Sequence, residues 1–275
     1  MGIYGVYQYL TSPGWDVLWM VNTGQGDYKE GGGFRLFSTM QSIEPFSAFM
    51  AAGLMILFTD SGFLRFPAAA VGYLAFLLSL VRSAWLGWLG GLLILIGSLK
   101  AKYQMRLFVI ILAMAILVIP VVASGPFSEK IGARLQTLSN VKEDDSFSAR
   151  QENLNATFER NLFNVLGSGI GLGNSDNAIL SMLYSLGWIG VIGYAGGLVV
   201  LIMQLFQHPE GGSNLFLGTA RAVIATCLIR LPANGTAITG VGGVILWGFL
   251  GLTIASQRYY QDRLVRNSID DTVDI

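Results

Sequence analysis

Arginine is the residue on which a chemical role for this chain can be built. Arg35, Arg82, Arg134, Arg150 and Arg160 stand in or beside the hydrophilic breaks between apolar runs. A guanidinium presents a planar fork of donors that pairs bidentately with phosphate or carboxylate. Arg82 is the sharpest case. The stretch "LSLVRSAWLGWLGG", residues 78–91, leaves a permanent cation in the short turn between the apolar runs 63–81 and 83–99. Such a cation at a membrane interface suits a lipid-linked phosphate; it also suits a headgroup reached by snorkelling, or a helix-end cap. Arg150 lies near the start of an amphipathic helix expected over "SARQENLNATFERNLFNVLG", with Leu154, Phe158, Leu162 and Phe163 on one side. A cation at a helix N-terminus opposes the macrodipole and calls for an anion. That anion is either a ligand or one of Asp144, Asp145 and Glu152. Asp176 stands where the chain returns to apolar sequence. It reads either as a general base at the interface or as the N-cap of the next helix.

Other chemistries find little to work with. The single histidine, His208, falls at the opposite face from these arginines, so no Ser–His–Asp triad can be assembled there. No cluster has metal-ligand spacing, and no cofactor is expected. Glycines 167, 169, 171 and 173 form a flexible turn with exposed N–H groups, a weak anion-binding signal. No clear strand precedes them, which excludes a dinucleotide-binding fingerprint. Cys227 has no cysteine partner and lies in an apolar run, where it reads as a small buried hydrophobe.

The elements that must hold these residues are membrane helices. The 275 residues are 53% hydrophobic and 12% charged, with a mean hydropathy of +0.56. That is half the charge of an ordinary soluble domain, about 25%. Several apolar runs approach the ~20 residues that cross a bilayer. The expected fold is an all-α polytopic transmembrane bundle of about seven spans: 42–59, 63–81, 83–99, 107–123, 178–206, 215–231 and 236–256. Glu44 and Pro45 near its start and Asp60 past its end make the first span the weakest. The organisation is then a periplasmic loop segment over 1–41, four spans within 42–123, a large, partly helical periplasmic loop over 124–177, three spans within 178–256 and a cytoplasmic tail over 257–275. Residues 1–41 read as loop, with interfacial helix at "YQYL" and "WDVLWM". The tail reads as disordered beyond Arg266. Zero net charge suggests no nucleic-acid partner. The N-terminus has no basic region and is broken by Pro13 and Gly14, so it does not read as a signal peptide.

Lys100, Lys102 and Arg106, with no acid among them, mark the inner face by the positive-inside rule. Alternation then sets Arg35, Arg82, Arg150 and Asp176 on the outer face. Arg82 there goes against the rule, as do Arg35, Arg134, Arg150 and Arg160, which suggests more than a solvated surface.

In order, the chain carries "GFRLFSTMQSIEPFSAFMAAG", "LLSLVRSAWLGWLGG", "ARLQTLSNVKEDDSFSARQENL", "LGSGIGLGN" and "SDNAILSMLYSLGWIGVIGYAGGL". Together these resemble the O-antigen ligase and polysaccharide polymerase family of bacterial membrane glycosyltransferases, over roughly residues 1–206. The resemblance implies an all-helical bundle in the inner membrane with a large periplasmic loop. It implies metal-independent transfer from an undecaprenyl-diphosphate-linked glycan to an acceptor glycan or lipid. On the matching positions it implies that Arg35, Arg82 and Arg150 bind the diphosphate and that Asp176 is the base. Where ligases have histidine followed by asparagine, this chain reads "SDN", which points toward a polymerase or a divergent member. The family has further spans before the matched region, so a missing N-terminal membrane half is expected as a partner or as the rest of the protein. Two alternatives stay open: a transporter or lipid-binding membrane protein, and an inactive or split fragment of the enzyme. Only Arg221 sits clearly within a span, and no internal repeat is visible, which weighs against a transporter.

Overall fold

The computed structural model describes residues 1–24, 34–59, 62–99, 101–123, 155, 165–169, 177–207, 215–234 and 240–273. The described chain is all-helical. Its principal elements are α1 (Gly2–Thr11), α2 (Gly14–Thr23), α3 (Ile43–Ile56), α4 (Arg65–Leu78), α5 (Arg82–Ser98), α6 (Ala101–Ala123), α7 (Ala178–Gln207), α8 (Leu215–Arg230) and α9 (Gly240–Val273). Three helical segments, Ala178–Leu205, Leu215–Ala233 and Gly240–Tyr259, are long and apolar enough to cross a membrane. The protein is thus a helical membrane protein by the length and composition of these segments.

The bundle centres on the antiparallel contact of α5 with α8. Gly87 and Gly91, spaced as small-xxx-small on α5, let the two backbones close together. A Cβ on Gly87 would lie 2.9 Å from the Thr226 carbonyl oxygen, and one on Gly91 would lie 2.6 Å from that of Ala222. Met55, Leu92, Leu95, Val223, Ile224 and Leu246 are buried around this seam. In helical membrane proteins such close packing takes the place of the water-driven burial of a soluble core. Helices α7 and α9 run parallel: the Tyr194 and Trp247 rings meet edge to face at 5.5 Å, and Gln257 Nε2 donates to the Leu205 carbonyl at 3.1 Å.

Several boundaries differ from those expected. Helices α3 and α4 are 14 residues each, about 21 Å at 1.5 Å per residue, against a hydrocarbon core of ~30 Å. Helix α3 stops at Ile56 in a tight turn, with the Thr59 N–H on the Ile56 carbonyl at 2.8 Å. Helix α4 stops at Leu78 because Leu80 takes a left-handed conformation (φ 55°). Helix α6 begins at Ala101, so Lys102 and Arg106 belong to a helix and not to a loop. Residues 1–41 are not mainly loop: α1 and α2 are helices where the interfacial segments were expected, with residues 25–33 outside the described residues. The tail is not disordered beyond Arg266, since α9 continues to Val273. The expected helix around Arg150 lies outside the described residues.

Helix α7 is not one rod. Gly187 (φ 65°, ψ −179°) breaks it into two pieces. The freed carbonyls are taken up by segment 165–169: Ser168 N–H donates to Tyr184 O at 2.8 Å and Gly169 N–H to Ser185 O at 3.1 Å. A Cβ on Gly167 would lie 2.6 Å from the Gly187 nitrogen. In the part described, the glycine run is therefore a docked strap on the helix break and not a loose turn.

The seam predicts a graded stability response. Gly91→Ala should lower the thermal midpoint in detergent, with a cost of about 1–3 kcal/mol from overpacking. Gly97→Ala, where an added Cβ meets nothing within 4 Å, should leave the midpoint unchanged or slightly raised. Equal midpoints for both variants would refute the close-packed seam.

Candidate functional site

The site builds from the α4–α5 turn. Ser79, Leu80 and Val81 join the two helices, and the Ser79 hydroxyl donates to Phe76 O at 2.6 Å, pinning the turn to the end of α4. Val81 precedes the first turn of α5 and accepts the N–H groups of Ala84 and Trp85 at 3.0 and 3.2 Å. Arg82 is the first residue of α5, half-buried, with its charge at a helix N-terminus. The macrodipole there favours an anion nearby.

Arg35 is brought to the same turn by a different route. Its neighbours Phe34, Leu36 and Phe37 are buried, and the Leu36 N–H donates to Leu78 O at 3.4 Å. Ser38 N–H donates to the buried Gln8 side-chain oxygen at 2.8 Å, and Ser38 Oγ donates to Met1 O at 2.9 Å. Helix α1 thus clamps the segment 34–38 against α4. Half-buried Arg35 donates through Nε to Ser79 O at 3.4 Å, three residues before Arg82. Two of the arginines singled out in the sequence therefore share one turn. Arg150 and Asp176 lie outside the described residues. The N-cap of α7 is Asn177: its Oδ1 accepts from Ile179 N–H at 2.9 Å and Leu180 N–H at 3.2 Å. Capping of this helix therefore does not need Asp176.

At the same end of the bundle is a pair that the sequence did not bring forward. Arg230, the last residue of α8, has 3% of its side chain exposed. Its Nη2 donates to Glu44 Oε2 at 3.0 Å and to Ser47 Oγ at 3.0 Å. The Ser47 hydroxyl in turn donates to Glu44 O at 2.8 Å, so serine, carboxylate and guanidinium form one network between α3 and α8. The aliphatic stem of Arg230 runs along α5, where a Cβ on Gly87 would lie 2.8 Å from Arg230 Cγ. That contact lies about a turn and a half along α5 from Arg82. The Glu44 side chain keeps 31% exposure. The pair borders a cleft lined also by Pro45, Cys227 and Asn234. Among the described residues no group of histidine, cysteine, aspartate and glutamate could hold a metal ion.

Neither residue advertises itself in sequence. An acid in the first turn of a helix and a base in its last turn both complement the helix dipole. Glu44 and Arg230 are locally at ease and look like ordinary helix ends; Arg82 stands out because it is not. Alternation of the spans would have set both on the outer face. Their meeting across 186 positions of sequence had no local signal.

No protein-family model, curated protein or solved structure matches the chain.

A buried ion pair is sensitive to losing one partner and tolerant of losing both. Glu44→Leu should destabilise the protein by roughly 3–5 kcal/mol, because Arg230, 3% exposed, keeps its charge without its partner. The double variant Glu44→Leu/Arg230→Leu should recover most of that loss. Thermal denaturation of the four proteins of the cycle in one detergent measures it; additive losses would show that the pair is not coupled.

Proposed function

We propose that this chain is a glycosyltransferase of the bacterial inner membrane that transfers or polymerises glycan from an undecaprenyl-diphosphate carrier at the periplasmic face. The observation that carries the reading is the gathering of Arg35 and Arg82 on one interhelical turn, on top of the ordered motifs of the sequence. In this reading helices α3 to α9 make seven crossings, α3 and α4 being the short ones, and the Arg82 end of the bundle faces the periplasm. The acceptor hydroxyl attacks the anomeric carbon of the lipid-linked sugar with inversion. The new C–O bond forms as the bond from that carbon to the diphosphate breaks, and the diphosphate leaves with the electron pair. Arg35 and Arg82, joined by Arg150, neutralise the charge that grows on it, the contribution that is usually largest in such sites. Asp176 accepts the acceptor's proton. The chemistry requires neither metal nor cofactor.

The transporter reading has observations of its own. Arg221 is buried within α8, with 6% exposed, and α7 is broken at Gly187. Intramembrane cations and discontinuous helices are both features of transport pathways. The two readings part over whether a glycosidic bond is made.

Membranes carrying the chain, supplied with undecaprenyl-diphosphate-linked glycan and an acceptor, should form transferred or elongated glycan. Arg82→Ala should reduce the rate by about one to two orders of magnitude, the worth of a charge-assisted hydrogen bond. Arg82→Lys should not restore it, because lysine keeps the charge and loses the fork. Full activity in the lysine variant at matched expression would reject bidentate contact. No transfer by the wild-type chain, with insertion verified, would favour transport.

The orientation has a separate test. In a Cys227→Ala background, Ser139→Cys should react with a membrane-impermeant thiol reagent added from the periplasmic side, and Lys102→Cys should not. The reverse pattern would invert the bundle and move the arginines to the cytoplasm.

A further inference from the structure

The cleft beside Glu44 and Arg230 is not used by the diphosphate chemistry above, and its composition is specific. Glu44 enters from α3, Arg230 from the end of α8, Asn234 just beyond it, and Gly242 from α9. Arg230 and Asn234 are 3% and 5% exposed. Arg230 spends Nη2 on Glu44 and Ser47, while its Nε is buried with no hydrogen-bond partner. A buried guanidinium N–H without an acceptor is unfavourable until something accepts from it. Glu44 Oε2 is held by Arg230, and the carboxylate is open enough to accept from a further donor.

The charges narrow the ligand class. An anion approaching Arg230 meets Glu44, and a cation approaching Glu44 meets Arg230. The pair is neutral overall, yet it offers a strong acceptor and a strong donor side by side. The group that satisfies both is one that donates and accepts at once without charge, a hydroxyl. The amide of Asn234 has the same dual capacity. The enclosed part of the cleft is about the size of one water molecule. It therefore takes a hydroxyl and its bond, while the ring that bears it stays in the mouth against Pro45 and Ala48.

We propose that this cleft is a sugar-hydroxyl site, in which Glu44 accepts from a hydroxyl of a glycan and Arg230 and Asn234 donate to it. It rests on the glycosyltransferase reading for its place in the reaction: it positions the acceptor sugar while the arginine turn holds the donor's diphosphate. Its test needs no turnover, because the chain supplies a reporter. Cys227 is the only cysteine of the sequence and lines the same cleft, buried one turn below Arg230.

The experiment follows modification of Cys227 by methyl methanethiosulfonate in membranes containing the full chain. The probes are glucose, galactose, N-acetylglucosamine and rhamnose, with sodium phosphate and choline chloride as charged controls. At about ten times its dissociation constant, a bound sugar should slow modification roughly tenfold, since only unoccupied protein reacts. Phosphate and choline should leave the rate unchanged. Glu44→Gln should weaken protection roughly ten- to hundredfold. Glu44→Gln removes Arg230's counter-charge and can unfold the protein, so Asn234→Ala, which keeps the ion pair, is the second variant; it should weaken protection about two- to tenfold. Absence of protection by all four sugars, protection by phosphate instead, or undiminished protection in folded Asn234→Ala would each overturn the proposal. The outcomes separate from those of the transfer assay. Sugar protection without transfer would retain the site and remove the enzyme; transfer without protection would do the opposite.

Discussion

The close approach of α5 to α8 is the constraint on which the rest of the structure depends. Gly87 and Gly91 remove side chains from one strip of α5, and α8 lies against the bared backbone. Any larger residue would push the helices apart. The space at Gly87 is filled by the stem of Arg230, which carries the guanidinium along α5 to Glu44 on α3. A packing feature in the middle of the bundle thereby sets the electrostatics of its end. Ser47 joins the pair to the backbone of α3 through the Glu44 carbonyl, so three helices are tied together near one end of the bundle.

The irregular backbone follows the same rule. Within a membrane an unpaired N–H or carbonyl is costly, and non-helical segments persist only where the protein itself satisfies them. The break at Gly187 meets that condition through Ser168 and Gly169, which take the carbonyls of Tyr184 and Ser185. The two segments cross at Gly167 and Gly187, both with positive φ and both without room for a Cβ. The strap leads on in sequence toward Asp176 and the Asn177 cap, so the geometry of this crossing bears on where the last part of the proposed site begins.

The arginine turn shows how elements without chemistry of their own position those that have it. Helix α1 carries no charged side chain, yet Gln8 and the Met1 carbonyl hold Ser38, and Gly5 receives the Leu36 side chain. Buried residues on both sides of Arg35 leave it one direction in which to emerge. Its bond to the Ser79 carbonyl ends that path beside Arg82.

The sequence by itself determined the all-helical membrane class and the approximate positions of the helices, because long apolar runs and a low share of charge are what a lipid environment selects. It also marked Arg82, a cation in a short break between apolar runs, and Arg35, a cation on the face where the positive-inside rule expects few, and each stands out by itself. Tertiary structure alone decided which residues meet. The helix break at Gly187 depends on a partner strap some twenty residues away, and glycine in an apolar helix signals no more than small size. Helix α9 outlasts its apolar stretch, and the sequence did not show this because a polar helix and a disordered tail differ little in composition. Glu44 and Arg230 each sit where their helix dipole welcomes them, so neither shows strain in the linear sequence. Their pairing arises only when two glycines let α5 and α8 close, and that is a property of three helices together.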